Sequence, residues 1–176
     1  HLSGNCIETV CGLESARYLE ELYVGRQRLT RGKTFTIDRA SVDGIKDSLL
    51  VLDAPGNGIG GEAMEVVLDL YRLERLNLAD NDLQEMAQVV DVVTSLEGLT
   101  ECDLRGNAVS RKPKYFERAV TRCGDSLTTL DGKPVHAQHR EMLQSLDRHK
   151  RAEARKNAGK VVTNSAHPAP MAELGG

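Results

Sequence analysis

Apolar residues along this chain recur in one spaced pattern, with an amide side chain at a fixed place inside it. The clearest copy is Leu73-x-x-Leu76-x-Leu78-x-x-Asn81-x-Leu83. Leu99-x-x-Cys102-x-Leu104-x-x-Asn107-x-Val109 repeats it with cysteine as a small apolar substitute, and Leu49-x-x-Leu52-x-Ala54-x-x-Asn57-x-Ile59 repeats it again. Leu19-x-x-Leu22-x-Val24-x-x-Gln27-x-Leu29 carries glutamine at the amide position, and Leu2-x-x-Asn5-x-Ile7 is the closing half of a further copy. The amide position therefore falls at Asn5, Gln27, Asn57, Asn81 and Asn107, in steps of 22, 30, 24 and 26 residues. A period near 20–29 residues is that of units which cannot bury an apolar face alone and must stack on their neighbours.

The pattern predicts its own elements. Leu76 and Leu78 alternate with polar residues, so they point inward together from one short strand. Leu73 and Leu83 pack at the two ends of that strand. Asn81 brings a donor and an acceptor to a turn whose backbone groups would otherwise lack partners, and stacked copies would line these amides up as a ladder. Between the strands lie helical spacings: Met64, Val67, Leu68 and Tyr71; Met86, Val89, Val90, Val93 and Leu96; and Tyr115, Phe116, Ala119, Val120 and Cys123. The expected fold is α/β: a curved parallel sheet with strands centred near Val24, Leu52, Leu76 and Cys102, and helices on the convex side. The long step holds an insertion, Arg31–Ser48, whose Phe35, Ile37, Val42 and Ile45 show no clean period. The orphaned half copy Leu2–Ile7 leads us to expect a natural protein that extends further N-terminally.

Leu127-Thr128-Thr129-Leu130-Asp131-Gly132 starts one more strand without an amide site, and it reads as a cap over the last apolar face. From His136 to about Lys156 the chain reads as a polar helix. Met142, Leu143 and Leu146 give it a narrow apolar stripe, and Asp147 and Arg151 form an i,i+4 pair. The last stretch, Val161–Gly176, has two Pro, two Gly and little to bury, which predicts a disordered tail. The expected divisions are thus a repeat domain with its cap over 1–135, a basic helix over 136–160 and a tail over 161–176.

These copies resemble leucine-rich repeats, and the resemblance implies a solenoid. They resemble the short, irregular class typified by the regulatory subunit of protein phosphatase 1, which also includes the axonemal dynein leucine-rich-repeat light chain and a spliceosomal member. The closing stretch resembles the C-terminal cap of that class: Lys112-Pro113-Lys114-Tyr115-Phe116, then Val120, then Leu127-x-x-Leu130-Asp131-Gly132-Lys133-Pro134-Val135. Its wording is most similar to ciliary and phosphatase-associated members. The resemblance covers residues 2–135 and implies an adaptor without catalysis that binds through the concave sheet. It places the partner-facing side chains at the outward strand positions: Glu21, Tyr23 and Gly25; Val51, Asp53 and Pro55; Arg75, Asn77 and Ala79; Glu101, Asp103 and Arg105. Phosphatase-binding members present aromatic and acidic residues there; this chain keeps the acids and one aromatic, Tyr23.

Composition changes the picture only in places. Aromatic residues make up 3% of the 176 residues and Trp is absent, so the core must be built from Leu, Val, Ile and Ala. The formal net charge of -3 carries no excess of positive charge for nucleic acid over the whole chain. Residues 136–160 differ, with seven Lys or Arg against three acids. Cys6, Cys11, Cys102 and Cys123 make no Cys-x-x-Cys pair, which argues against zinc or redox chemistry. Core thiols at Cys102 and Cys123, with no signal-peptide pattern and no apolar run of membrane-spanning length, predict an intracellular protein, cytoplasmic or cytoskeletal and ciliary.

One motif competes with the repeat. Gly56-Asn57-Gly58-Ile59-Gly60-Gly61 has the glycine spacing of a dinucleotide loop between a strand and a helix, with Asp80 19 residues beyond Gly61. The repeat accounts for the same residues: Asn57 is an amide position and Ile59 the apolar residue two beyond it. The next strand alternates with Arg75 and Asn77, whereas a doubly wound sheet wants near-continuous apolar strands. We therefore read the glycines as a tight repeat turn. His136 and His139 could form half a metal site, but no cluster completes it. Asp80, Asn81 and Asp82 lack the spacing of a calcium loop. No catalytic residue, metal or cofactor is expected. The expected function is a protein-binding scaffold in a cytoskeletal, ciliary or phosphatase-regulatory setting, without membrane, nucleic-acid or small-molecule partners. The alternative is a nucleic-acid-associated adaptor that uses the basic helix.

Overall fold

A computed structural model describes residues 1–164 of the chain, with side chains through residue 158. Its centre is a six-stranded sheet built from strands of two or three residues. β2 (Glu21–Tyr23), β4 (Val51–Asp53), β5 (Arg75–Asn77) and β6 (Glu101–Asp103) pair in parallel, in that order, and β7 (Thr129–Leu130) joins β6 in parallel. β8 (Lys133–Pro134) turns back antiparallel on β7 and ends the sheet. Leu22, Leu52, Leu76, Cys102 and Leu130 are paired one to the next across the sheet, so the repeat read from sequence is a structural register. All five are buried, while their strand neighbours Glu21, Arg75 and Glu101 are exposed. That alternation is what a sheet with one covered face requires.

The covered face carries the helices. α2 (Ala63–Leu68), α3 (Met86–Ser95) and α4 (Tyr115–Arg122) follow β4, β5 and β6 in turn, and a short 3-10 turn, Ala108–Arg111, precedes α4. Met64 and Val67, then Met86, Val89 and Val93, then Tyr115, Ala119 and Val120 are buried as their spacing predicts. Two details differ. Val92 rather than Val90 is buried on α3, and α2 stops before Tyr71, which is 47% exposed. The apolar set of α2 is therefore completed by Leu70 in the turn after the helix and not by Tyr71.

The insertion has structure of its own. β3 (Thr36–Ile37) pairs in parallel with β1 (Thr9–Val10), and α1 (Arg39–Ile45) follows it. Phe35, just before the strand, and Ile37 within it enter the core, and Val42 and Ile45 enter it from the helix. Two periods in one short segment leave no single one to read. Asp38 caps α1 by accepting from the Ala40 and Ser41 amides, and Ser41 in turn accepts from the Leu13 amide at 3.0 Å.

α5 (Ala137–Asn164) is longer than the sequence suggests, so residues 161–164, where a disordered tail is expected to begin, are helical; 165–176 lie outside the described residues. Of the expected stripe only Leu143 packs on the core; Met142 and Leu146 are about half exposed. The helix is held instead by Arg140, which is 6% exposed. Its guanidinium donates to the Leu127 and Asp125 carbonyls at 3.0 and 3.2 Å. The Arg151–Asp147 pair is present at 2.8 Å.

Candidate functional site

Each strand of the sheet has one face packed and one face open, so the open face is made of whole rows in register. Glu21, Val51, Arg75 and Glu101 form one row; Tyr23, Asp53, Asn77 and Asp103 form the next. A groove of about 300 Å³ runs across both rows, lined by Tyr23, Asp53, Arg75, Glu101, Asp103 and Arg105 among others. The residues expected at the outward positions are thus brought together, with two exceptions in kind. Val51 faces outward yet is buried, because the Arg75 guanidinium and the Glu21 carboxylate, on the strands either side of it, meet at 3.7 Å. Gly25 and Pro55 are packed on each other: a Cβ at Gly25 would lie 2.8 Å from the Pro55 ring, so these positions form backbone support rather than a binding surface.

The charges on the open face are largely spent on one another. Arg105 donates through Nε to Asp103 Oδ1 at 2.9 Å, and its backbone amide donates to the same oxygen. Burial pushes the Asp103 carboxyl up, but these bonds and the Arg105 charge together outweigh it and hold it below the usual carboxylate range. Asn77 donates to Asp53 at 2.6 Å. Among the described residues Glu101 and Asp53 make no ion pair. Tyr23 is half-buried and already engaged: its hydroxyl donates to Glu21 at 2.8 Å, and the His1 ring stacks on it at 4.3 Å. The Glu21 bond raises the Tyr23 hydroxyl above its ordinary value. Cys102 lies beneath the groove, and burial pushes its thiol up strongly, so it is no nucleophile at neutral pH.

Behind the groove, the amide positions form a ladder. Asn57 Nδ2 donates to the carbonyl of Val24, one repeat back, and to that of Ala54 in its own repeat. Asn81 Nδ2 donates likewise to Ala54, and Asn107 Nδ2 to Leu78 and Leu104. The oxygens accept backbone amides of the repeat before: Asn57 from Gln27, Asn81 from Asn57 and Ile59, Asn107 from Leu83. Gln27 uses its extra methylene to reach Leu2 O with Nε2 while its Oε1 accepts from Ile7. Asn5 is different. It is exposed and its side chain bonds only Leu2 O nearby, so the cross-repeat bonding starts at Gln27.

The segment after Asn107 has no amide site, as expected. There the Asp131 carboxylate accepts from the Leu104 amide at 2.7 Å, a bond that the Asp53, Asn77 and Asp103 backbone carbonyls make to Val24, Ala54 and Leu78 in the earlier repeats. Burial raises its carboxyl above the ordinary value despite that bond. Asp131 follows Leu130 as Asp103 follows Cys102 and Asp53 follows Leu52, so it stands at the outward strand position and not at the amide position. Arg140 gave no signal, being one cation among seven.

The glycine loop is filled by its own chain. Gly58 has φ +65°, and Thr34 of the insertion donates to its carbonyl. A Cβ at Gly60 would lie 2.5 Å from the Asp82 carbonyl. These glycines serve a turn and a close backbone approach. Among the described residues no three His, Cys, Asp or Glu are grouped to hold a metal, and no helix is long and apolar enough to cross a membrane.

No protein-family model matches the chain. Among solved structures, it is similar to a chain of the Drosophila melanogaster SNF/U2A' complex at 19% identity and a TM-score of 0.51, covering 89% of this chain and 71% of that one. That likeness is one of fold. A chain of the Chaetomium Mex67:Mtr2 subunits aligns at 25% identity and a TM-score of 0.44, over 58% of this chain and 64% of that one.

Proposed function

We propose that this chain is a leucine-rich-repeat solenoid that acts as a non-catalytic scaffold and holds a protein partner on the concave face of its sheet. The observation that carries this reading is the open face itself: two in-register rows over four strands, mostly polar and exposed or half-buried, backed by a ladder that fixes their spacing. A surface so regular and so preorganised is suited to a partner with its own alternating charges, because little side-chain freedom remains to be lost on contact. The mixture of Arg75 and Arg105 with Glu21, Asp53, Glu101 and Asp103 favours a protein over a polyanion. The resemblance of the repeats and cap to the phosphatase-regulatory class supports an intracellular setting, cytoskeletal, ciliary or phosphatase-regulatory.

The test is partner purification from the source cell with three forms of the protein: unaltered, Asp53→Lys with Asp103→Lys, and Tyr23→Ala. The charge-reversed form should stay folded and lose the principal partner, and Tyr23→Ala should weaken it. Retention of the same partner by both variants would overturn the concave-face reading. Direct titration with the catalytic subunit of protein phosphatase 1 then decides the setting: saturable binding lost in the charge-reversed form places the chain beside the phosphatase, and no binding removes that role.

A further inference from the structure

The helix side of the molecule carries a second groove, unrelated to the open face of the sheet. α5 runs back along α4: Gln144 donates to the Cys123 carbonyl just past the end of α4, while Lys150 lines the same groove as Lys114 just before its start. The groove is about 300 Å³ in volume, with Leu143 and Leu146 in its floor and Lys114, Arg118 and Lys150 around it. Leu146 is 51% exposed, and Met142, one turn before it, is 53% exposed. Among the described residues, Lys114, Arg118 and Lys150 make no ion pair. Of the two carboxylates present, Asp147 is already held by Arg151. Past Lys150 the helix is exposed on every side through residue 158 and adds Arg151, Arg155 and Lys156.

An apolar floor within a cationic rim is a chemical description of its occupant. We propose that this groove, with the basic helix that continues it, is a docking surface for an acidic amphipathic helix of a partner protein. Such a helix would set apolar anchors at i, i+3 or i+4 over Leu143 and Leu146, and its carboxylates would meet the three free cations. The floor decides against nucleic acid: a phosphate backbone has no use for exposed leucine, and no Phe, Trp or Tyr follows Leu130 to stack a base. The charge decides against an uncharged apolar segment, because residues 136–160 carry seven Lys or Arg against three acids in a chain whose total charge is -3.

The experiment uses the full chain and a fluorescein-labelled synthetic helix of Glu and Ala with Leu at every third and fourth position, read by anisotropy. A peptide of the same composition in scrambled order, and a duplex RNA, are the comparison probes. The amphipathic peptide should bind saturably and more tightly than the scrambled one. Leu146→Glu and Lys150→Glu, both at exposed positions, should each weaken it by about tenfold or more while circular dichroism and melting stay unchanged. Asp53→Lys, on the other face, should leave it unaltered, which separates this surface from the concave one. Three results would each overturn the proposal: no saturable binding, equal binding of the scrambled peptide, or an affinity indifferent to Leu146→Glu. Preference for the RNA with a steep salt dependence would return the helix to a nucleic-acid role.

Discussion

The amide ladder and the C-terminal helix are built on opposite terms. In the ladder, each asparagine spends its hydrogen-bonding capacity on two successive repeats, and Asn57 and Asn107 are 1% and 0% exposed. Among the described residues of α5 the only deeply buried polar side chain is Arg140, near the helix start, and from Arg148 through residue 158 every residue is exposed. The first region is specified by burial and the second by solvation. The comparison teaches where rigidity is invested: in the spacing of the sheet rows, and not in the helix that leaves them.

The largest effect expected is from Asn107→Leu. It would strip partners from the Leu83 amide and the Leu78 and Leu104 carbonyls, each worth about 1–3 kcal/mol when buried and unsatisfied. Urea unfolding should show a loss of several kcal/mol, and a smaller loss for the same change at half-exposed Asn81, where water reaches the freed groups. Equal losses at the two sites would break the link between burial and the ladder's strength.

Next is Arg140→Ala. Hydrogen bonds to a charged group contribute about 1.5–3 kcal/mol, while the Arg140–Asp125 pair adds little because the Asp125 side chain is fully exposed. We expect about 2 kcal/mol, local to the helix. Hydrogen exchange should quicken over residues 137–147 and stay unchanged in the central strands. Uniform quickening would mean that α5 is part of the cooperative core.

The smallest effect is the sharpest in sign. Burial raises the Asp131 carboxyl, so the stability it lends is fully present below the unfolded value of 3.8 and is lost as pH rises through the folded value. Asp131→Asn keeps an oxygen for the Leu104 amide and removes the charge. The variant should therefore gain on the unaltered protein as pH rises from below 3.8 through the folded value. A difference that does not move with pH would show that the carboxylate is not taxed by its site.

Much of this was legible in the sequence because one spacing governs both burial and bonding. Leu22, Leu52, Leu76 and Cys102 share a spacing and therefore a register, and the outward rows follow from them without further information. What was not legible depends on contacts between positions with no common spacing. β3 finds β1 across 27 residues, as Thr9 and Thr36 pair. His1 covers Tyr23, and Arg140 reaches carbonyls 13 and 15 residues upstream. Val51 shares the row of Glu21 and Arg75, but its burial comes with an ion pair between the strands on either side of it. Periodicity assigns a side chain to a face; it does not say what arrives there from elsewhere.

The strand that closes the sheet has a further consequence for how the molecule behaves among its own copies. Sheets of parallel strands present unpaired amides and carbonyls at their margins, which recruit strands from other chains. β8 sets Pro134, which has no amide hydrogen, opposite Thr129, and Lys133, a charge, opposite Leu130. The Lys133 ammonium sits 5.7 Å from the centre of the Phe116 ring. A neighbouring molecule approaching that margin meets a missing donor and a cation in two adjacent residues. Strand addition at this end of the sheet is thereby disfavoured at its first hydrogen bond.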